Sequence, residues 1–281
     1  MTKAPESVWE AVPEIAPDFG WRRQPVLLAS MRQMSWILGL SLVIPIAGSS
    51  STSVLAQERS PAETCLAANS TISIGVRLPR TETQLKSGAR LKVVALGSSS
   101  TVGLWVLNSA ATYPAVMRQE LTRLMPTAQI DLINSGRVGD SIPGSIARIE
   151  RDVLSHRPDL VIWQLGTNDV AWGGQASGLG ELMSRGIRTL RSKGSDVILM
   201  DQQYSPQVLS STQHSRMQAM IADAARREHV GLFSRFDLMR NSLKAGLSTS
   251  ALVSWDGLHN SKEGYDCIGR AIARAIWSAA R

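Results

Sequence analysis

Two stretches far apart in the chain carry residue types that could cooperate in acyl chemistry. The first is Gly97-Ser98-Ser99-Ser100-Thr101-Val102-Gly103, three serines between glycines directly after an apolar run. The second is Trp255-Asp256-Gly257-Leu258-His259-Asn260, near the C terminus. A serine hydroxyl becomes a nucleophile when an imidazole takes its proton, and the imidazole needs a carboxylate to fix its tautomer and stabilise its cation. Asp256 and His259 supply both from one turn. The oxyanion of an acyl-transfer intermediate further needs aligned hydrogen-bond donors. A backbone N–H at Gly139, in Asn134-Ser135-Gly136-Arg137-Val138-Gly139-Asp140, and the side-chain amide of Asn168, in Gly166-Thr167-Asn168-Asp169, meet that need. Each fragment alone is an ordinary turn; their order along the chain carries the argument.

Such loops act together only if the fold brings them together. Apolar, β-branched runs predict strands over 91–96, 128–133, 159–165, 196–200 and 230–233, the third buried on both faces because it lacks polar interruption. Helical spacing predicts helices over 113–124, 142–155, 179–193, 212–228 and 262–279, with Pro114 in the first turn of one and Pro126 just beyond its end. Strands alternating with helices imply right-handed crossovers and a mostly parallel, doubly wound sheet of five strands. The loops at the carboxyl ends of such strands meet in one crevice. The serine, Gly139 and Asn168 loops follow the first three strands, and the Asp256–His259 turn precedes the last helix.

These four blocks, in this order, resemble the SGNH hydrolases, also called the GDSL esterase/lipase family, from residue 91 to the C terminus. The resemblance implies a flavodoxin-like three-layer α/β/α sandwich, no metal or other cofactor, and ester hydrolysis through an acyl-enzyme. It implies Ser99 as the nucleophile, with its own N–H as a first oxyanion donor, Gly139 as the second and Asn168 as the third. His259 matches the general base, and Asp256, three residues earlier, the orienting acid. The first block departs from the family pattern, reading Gly97-Ser98-Ser99 where the family has Gly-Asp-Ser. The missing acid is not a member of the triad, so activity is expected to survive its loss.

The literal tripeptide Gly139-Asp140-Ser141 also occurs, after the second strand. Ser141 is set aside because Gly139 belongs to the second block, and because Ser141 and Pro143 read as the start of the following helix. Neither serine lies in a Gly-x-Ser-x-Gly elbow, which argues against an α/β-hydrolase. His156, His214 and His229 lack matching partners and are expected on solvated surface; the four histidines show no ligand spacing, so no metal site is expected. Trp105, Trp172 and the run Gln202-Gln203-Tyr204 are expected to border the crevice and shape the acyl or alcohol pocket.

The chain has 281 residues, 43% of them hydrophobic, enough for one full core and unlike a disordered or collagenous composition. A net charge of +7 is scattered rather than massed with aromatics, so no nucleic-acid partner is expected. Residues 1–56 read as an extension and signal peptide: Arg32, an apolar run over 36–47, then Ser53-Val54-Leu55-Ala56 as a cleavage site before Gln57. A periplasmic or secreted protein follows, with no stable membrane insertion after cleavage. Residues 57–90 are expected to wrap the hydrolase domain, 91–281, as an arm without chemistry. Cys65 and Cys267 are the chain's two cysteines; export makes a disulfide plausible, with a pair of buried thiols as the alternative. The partner expected is a small-molecule or glycan-borne acyl ester. Transfer of the acyl group to a sugar hydroxyl, and a silent glycan-binding envelope protein, are the competing readings.

Overall fold

The computed structural model describes residues 59–281; the expected signal segment lies outside them. The first elements are α1 (Pro61–Ala68) and α2 (Pro79–Lys86). The first begins at a capping box in which Ser60 accepts from the Glu63 N–H and the Glu63 carboxylate accepts from the Ser60 N–H, satisfying two donors of the first turn. The strands are β1 (Leu91–Gly97), β2 (Ile130–Gly136), β3 (Leu160–Gln164), β4 (Asp196–Met200) and β5 (Gly231–Phe233). They form a single parallel sheet in the order β2-β1-β3-β4-β5, so the connections reverse direction at β1 and open a crevice at its carboxyl end.

Between the strands run α3 (Ser99–Val102), α4 (Tyr113–Leu124), α5 (Ile142–Ala147), α6 (Ile149–Asp152), α7 (Thr167–Val170), α8 (Leu179–Arg191), α9 (Pro206–Leu209) and α10 (His214–Arg227). After β5 come α11 (Arg235–Lys244), α12 (Thr249–Leu252) and α13 (Lys262–Ala279). Strand side chains alternate between two cores, as the period of two requires. Val93, Ile162, Ile198 and Met200 face α1, α4, α11 and α13, where Met117, Leu238, Tyr265 and Ile268 meet them. Val94, Leu96, Val161, Trp163 and Leu199 face the opposite layer, with Ile142, Met183, Ile187 and Ile221. The chain is thus the expected three-layer α/β/α sandwich.

Residues 142–155, expected as one helix, are three short pieces. The chain leaves helical geometry at Arg148 (φ −119°, ψ 4°) and again at Val153, and a 3₁₀ turn closes the segment over Leu154–His156. The first break coincides with the buried Arg148 guanidinium turning inward to Asp140, Asp152 and the Gly97 carbonyl. Residues 57–90 contribute a covalent tie: Cys65 of α1 and Cys267 of α13 are disulfide-bonded, with 6.0 Å between their Cα atoms. Among the described residues no helix is long and apolar enough to cross a membrane.

Helices α4 and α13 pack closely because Gly269 has no side chain. A Cβ there would lie 2.6 Å from Val116 Cβ and 2.8 Å from the Tyr113 carbonyl oxygen. The neighbour is partly backbone and cannot simply rotate away. Gly269→Ala is therefore expected to lower stability by about 1–3 kcal/mol, read as a lower urea midpoint; an unchanged midpoint would contradict this packing.

Candidate active site

Each loop at the carboxyl edge is held by contacts specific to its sequence. β1 ends at Gly97, where a Cβ would lie 2.2 Å from Thr101 Oγ1 and 2.7 Å from Gln164 Oε1. The bare backbone lets the chain turn sharply into α3. Gln164, the last residue of β3, then fastens that turn: its buried Oε1 accepts from Ser98 N at 2.8 Å, Ser98 Oγ at 3.0 Å and Thr101 Oγ1 at 3.1 Å. Ser98, in the position where the family has its acid, serves as a structural donor. Ser99 follows as the first residue of α3 and is 6% exposed.

The C-terminal turn is organised by Asp256. Its Oδ1 accepts from the backbone N–H groups of Leu258 and His259, both at 3.0 Å, curling the loop so that the imidazole returns over the carboxylate. Its Oδ2 accepts from His259 Nδ1 at 2.5 Å and from the Trp105 indole N–H at 2.7 Å. Nδ1 faces an acceptor and so carries the proton, which leaves Nε2 as the acceptor on the far side of the ring. Ser99 Oγ lies 2.7 Å from Nε2 and donates to it. Burial works against a charged Asp256, but the hydrogen bonds from His259, the Leu258 and His259 N–H groups and Trp105 outweigh it and hold the carboxyl at about 2. It is therefore a carboxylate at neutral pH, able to orient the ring without taking its proton.

The loops that carry Gly139 and Asn168 are equally braced. Gly139 adopts φ 75°, a left-handed conformation suited to glycine, at an exposed position. One N–H of the Asn168 amide donates to the Asp140 carbonyl at 2.8 Å, leaving its second N–H for another acceptor. Asp140 is pinned in turn by Arg148 Nη2 at 2.6 Å and by Ser145 Oγ at 2.7 Å, and Arg148 also donates to the Gly97 carbonyl at 3.1 Å. Asp169 accepts from Ile142 N at 3.0 Å, and burial raises its pKa. Ser141, the serine of the literal tripeptide, accepts from Gly144 N at 3.3 Å and caps α5, as the sequence predicts.

Several residues take roles that the sequence did not suggest. Gln202 and Gln203 are fully buried and do not line a pocket: their amides donate to the Gly166 and Leu258 carbonyls, at 3.3 and 2.9 Å, tying the Asn168 and His259 loops to β4. Gln203 Oε1 accepts from Thr167 Oγ1 at 2.8 Å and from Arg235 Nη2 at 2.7 Å. Arg235 is itself completely buried, which pulls its pKa down to about 10, while burial raises that of neighbouring Asp201 to about 6. Tyr204 packs edge-on against Phe236, with ring centroids 4.9 Å apart. His214, expected in solvent, is half-buried, with Nδ1 2.7 Å from the Ser211 carbonyl and its ring stacked over Phe236. His156 is half-buried and His229 exposed. Among the described residues no group of three or more His, Cys, Asp or Glu is placed to hold a metal ion.

Known proteins share this architecture. A two-domain esterase active on acetylated mannans, solved with mannopentaose, superposes with a TM-score of 0.64 at 21% identity, covering 76% of this chain and 56% of its own. An acetylxylan esterase from Geobacillus stearothermophilus gives 0.57 at 20% identity, over 66% of this chain and 94% of its own. These likenesses establish the fold. An arylesterase of Vibrio mimicus is 27% identical over 120 residues, 43% of this chain and 58% of its own length. Residues 64–281 match the non-GDSL lipase-like family. The chain belongs to that family.

Proposed function

We propose that this protein is a serine esterase that hydrolyses acyl or acetyl esters through an acyl-enzyme on Ser99. The observation that carries the reading is the continuous relay Ser99 Oγ–His259 Nε2 at 2.7 Å and His259 Nδ1–Asp256 Oδ2 at 2.5 Å. Ser99 Oγ attacks the carbonyl carbon as its proton passes to Nε2. The backbone N–H groups of Ser99 and Gly139 and the free amide N–H of Asn168 stabilise the oxyanion. On collapse the imidazolium gives its proton to the departing alkoxide, leaving an acyl-serine. Water, deprotonated by Nε2, attacks that ester; the second intermediate collapses by breaking the bond to Ser99 Oγ, which takes the proton back from Nε2 as the acid is released. The carboxylate of Asp256 fixes the tautomer and stabilises the imidazolium throughout.

The structural neighbours are an esterase active on acetylated mannans and an acetylxylan esterase, which supports an acetyl group carried on a sugar. The disulfide supports a site of action outside the cytoplasm, periplasmic or secreted, because such bonds persist in oxidising compartments. Asn168→Ala tests the oxyanion assignment. It is expected to lower kcat by roughly 100- to 1,000-fold with KM little changed, because the lost donor acts chiefly on the transition state. A wild-type kcat in that variant would remove Asn168 from the mechanism.

A further inference from the structure

Asp256 has one partner that belongs to neither its own turn nor the serine relay. Trp105 donates its indole N–H at 2.7 Å to Oδ2, the same oxygen that accepts from His259 Nδ1. Its backbone sits at φ 71°, in the left-handed region, a conformation costing a bulky residue on the order of 1–3 kcal/mol. The surroundings therefore hold it there, helped by the Tyr265 hydroxyl donating to the adjacent Leu104 carbonyl at 3.2 Å. The ring is nevertheless 50% exposed, with its centroid 5.1 Å from that of Trp255, which is 80% exposed, and 6.4 Å from that of His259. Two half- to largely exposed indoles, tilted 56° to one another beside the His259 ring, form an apolar surface of the kind found at ligand sites.

We infer that Trp105 is a positioning residue whose indole N–H anchors the Asp256 carboxylate and whose ring, with Trp255, forms the wall on which a pyranose alcohol of the ester rests. The inference rests on the esterase reading above. The C–H face of a pyranose packs on indole without needing a charged partner. A sugar seated on the pair restrains Trp105 and, through the shared oxygen, Asp256 and His259. A small alkyl alcohol reaches Ser99 without touching Trp255.

The two halves separate kinetically. Trp105→Phe keeps an aromatic ring and removes the donor; kcat is expected to fall about tenfold on both an O-acetyl pyranoside and a short alkyl acetate, the scale of one charge-assisted hydrogen bond. The low-field proton resonance between His259 and Asp256 should shift in the same variant. Trp255→Ala is expected to raise KM about tenfold for the pyranoside alone, with kcat retained. In the wild type, adding the deacetylated pyranoside should shift the Trp105 indole N–H resonance, a measurement that requires no variant to fold. An unchanged kcat and resonance in folded Trp105→Phe, equal effects of Trp255→Ala on both esters, or no indole shift in the wild type would each overturn the inference. A wild type inactive on both esters would overturn the esterase reading instead.

Discussion

Ser99→Ala is expected to lower kcat/KM for a short acyl ester by on the order of 10⁴- to 10⁶-fold, the range seen when a serine nucleophile is removed and only binding and oxyanion donors remain. The fold should be unaffected. The Ser99 hydroxyl bonds to His259, whereas the turn itself is held by backbone and by its neighbours: the Ser99 carbonyl accepts from Gly103 N and Leu104 N, and Ser98 and Thr101 bond to Gln164. Alanine preserves all of these. The contrasting variant is Ser141→Ala, which should keep near-wild-type activity and lose about 1 kcal/mol of stability, because that serine caps α5. Rates on a p-nitrophenyl ester, with circular dichroism as the fold control, distinguish the two serines; activity lost with Ser141 and kept without Ser99 would reverse the assignment.

The second large effect is on stability. The Cys65–Cys267 bridge closes a loop with a sequence separation of 202 and joins the first described helix to the last. In the chain-entropy account such a cross-link restricts the unfolded chain by about 5 kcal/mol. Replacing both cysteines by alanine should therefore lower Tm by on the order of 10–20 °C for a domain of this size. Both sulfurs are buried in the core between α1, α11 and α13 and neither bonds to Ser99, His259 or Asp256, so the loss is expected without direct effect on the relay. The double variant should keep its kcat at a temperature where it remains folded. A Tm unchanged in the variant and in the reduced wild type would show that the bridge contributes nothing.

The parts of the fold most legible in the sequence are those where local chemistry and global position agree. β1, β3 and β4 are largely apolar runs, and Gly97 and Gly166 mark where β1 and β3 give way to turns; β2, expected over 128–133, runs over Ile130–Gly136, because Asn134 and Ser135 continue the pairing with β1 beyond the apolar stretch. The relay was legible because its polar residues fall immediately after those runs, or, for Asp256 and His259, at a spacing that closes one turn. Residues 142–155 were harder to read. Ile142, Ile146, Ile149 and Val153 repeat at helical spacing, yet the charge on Arg148 has to meet Asp140, and that pairing outweighs propensity. The cap of α1 was present in Ser60-Pro61-Ala62-Glu63 but is easily overlooked in a polar arm. The struts behind the site carried no local signal. Gln164 lies in a strand expected to be buried and Gln203 in a run expected at the crevice, but nothing local marks their amides, or the Arg235 guanidinium, as buried struts, and Trp105 meets Asp256 across 151 positions.

The central claim, that Ser99 is the activated nucleophile, is tested most directly by a fluorophosphonate reagent followed by peptide mapping of the adduct. Such a probe traps a serine whose proton is removed by a neighbouring base. The relay of Ser99, His259 and Asp256 predicts one stoichiometric adduct on Ser99, absent in Ser99→Ala and strongly slowed in His259→Ala. No adduct on the folded protein, or an adduct mapping to Ser141 or to another serine, would contradict it.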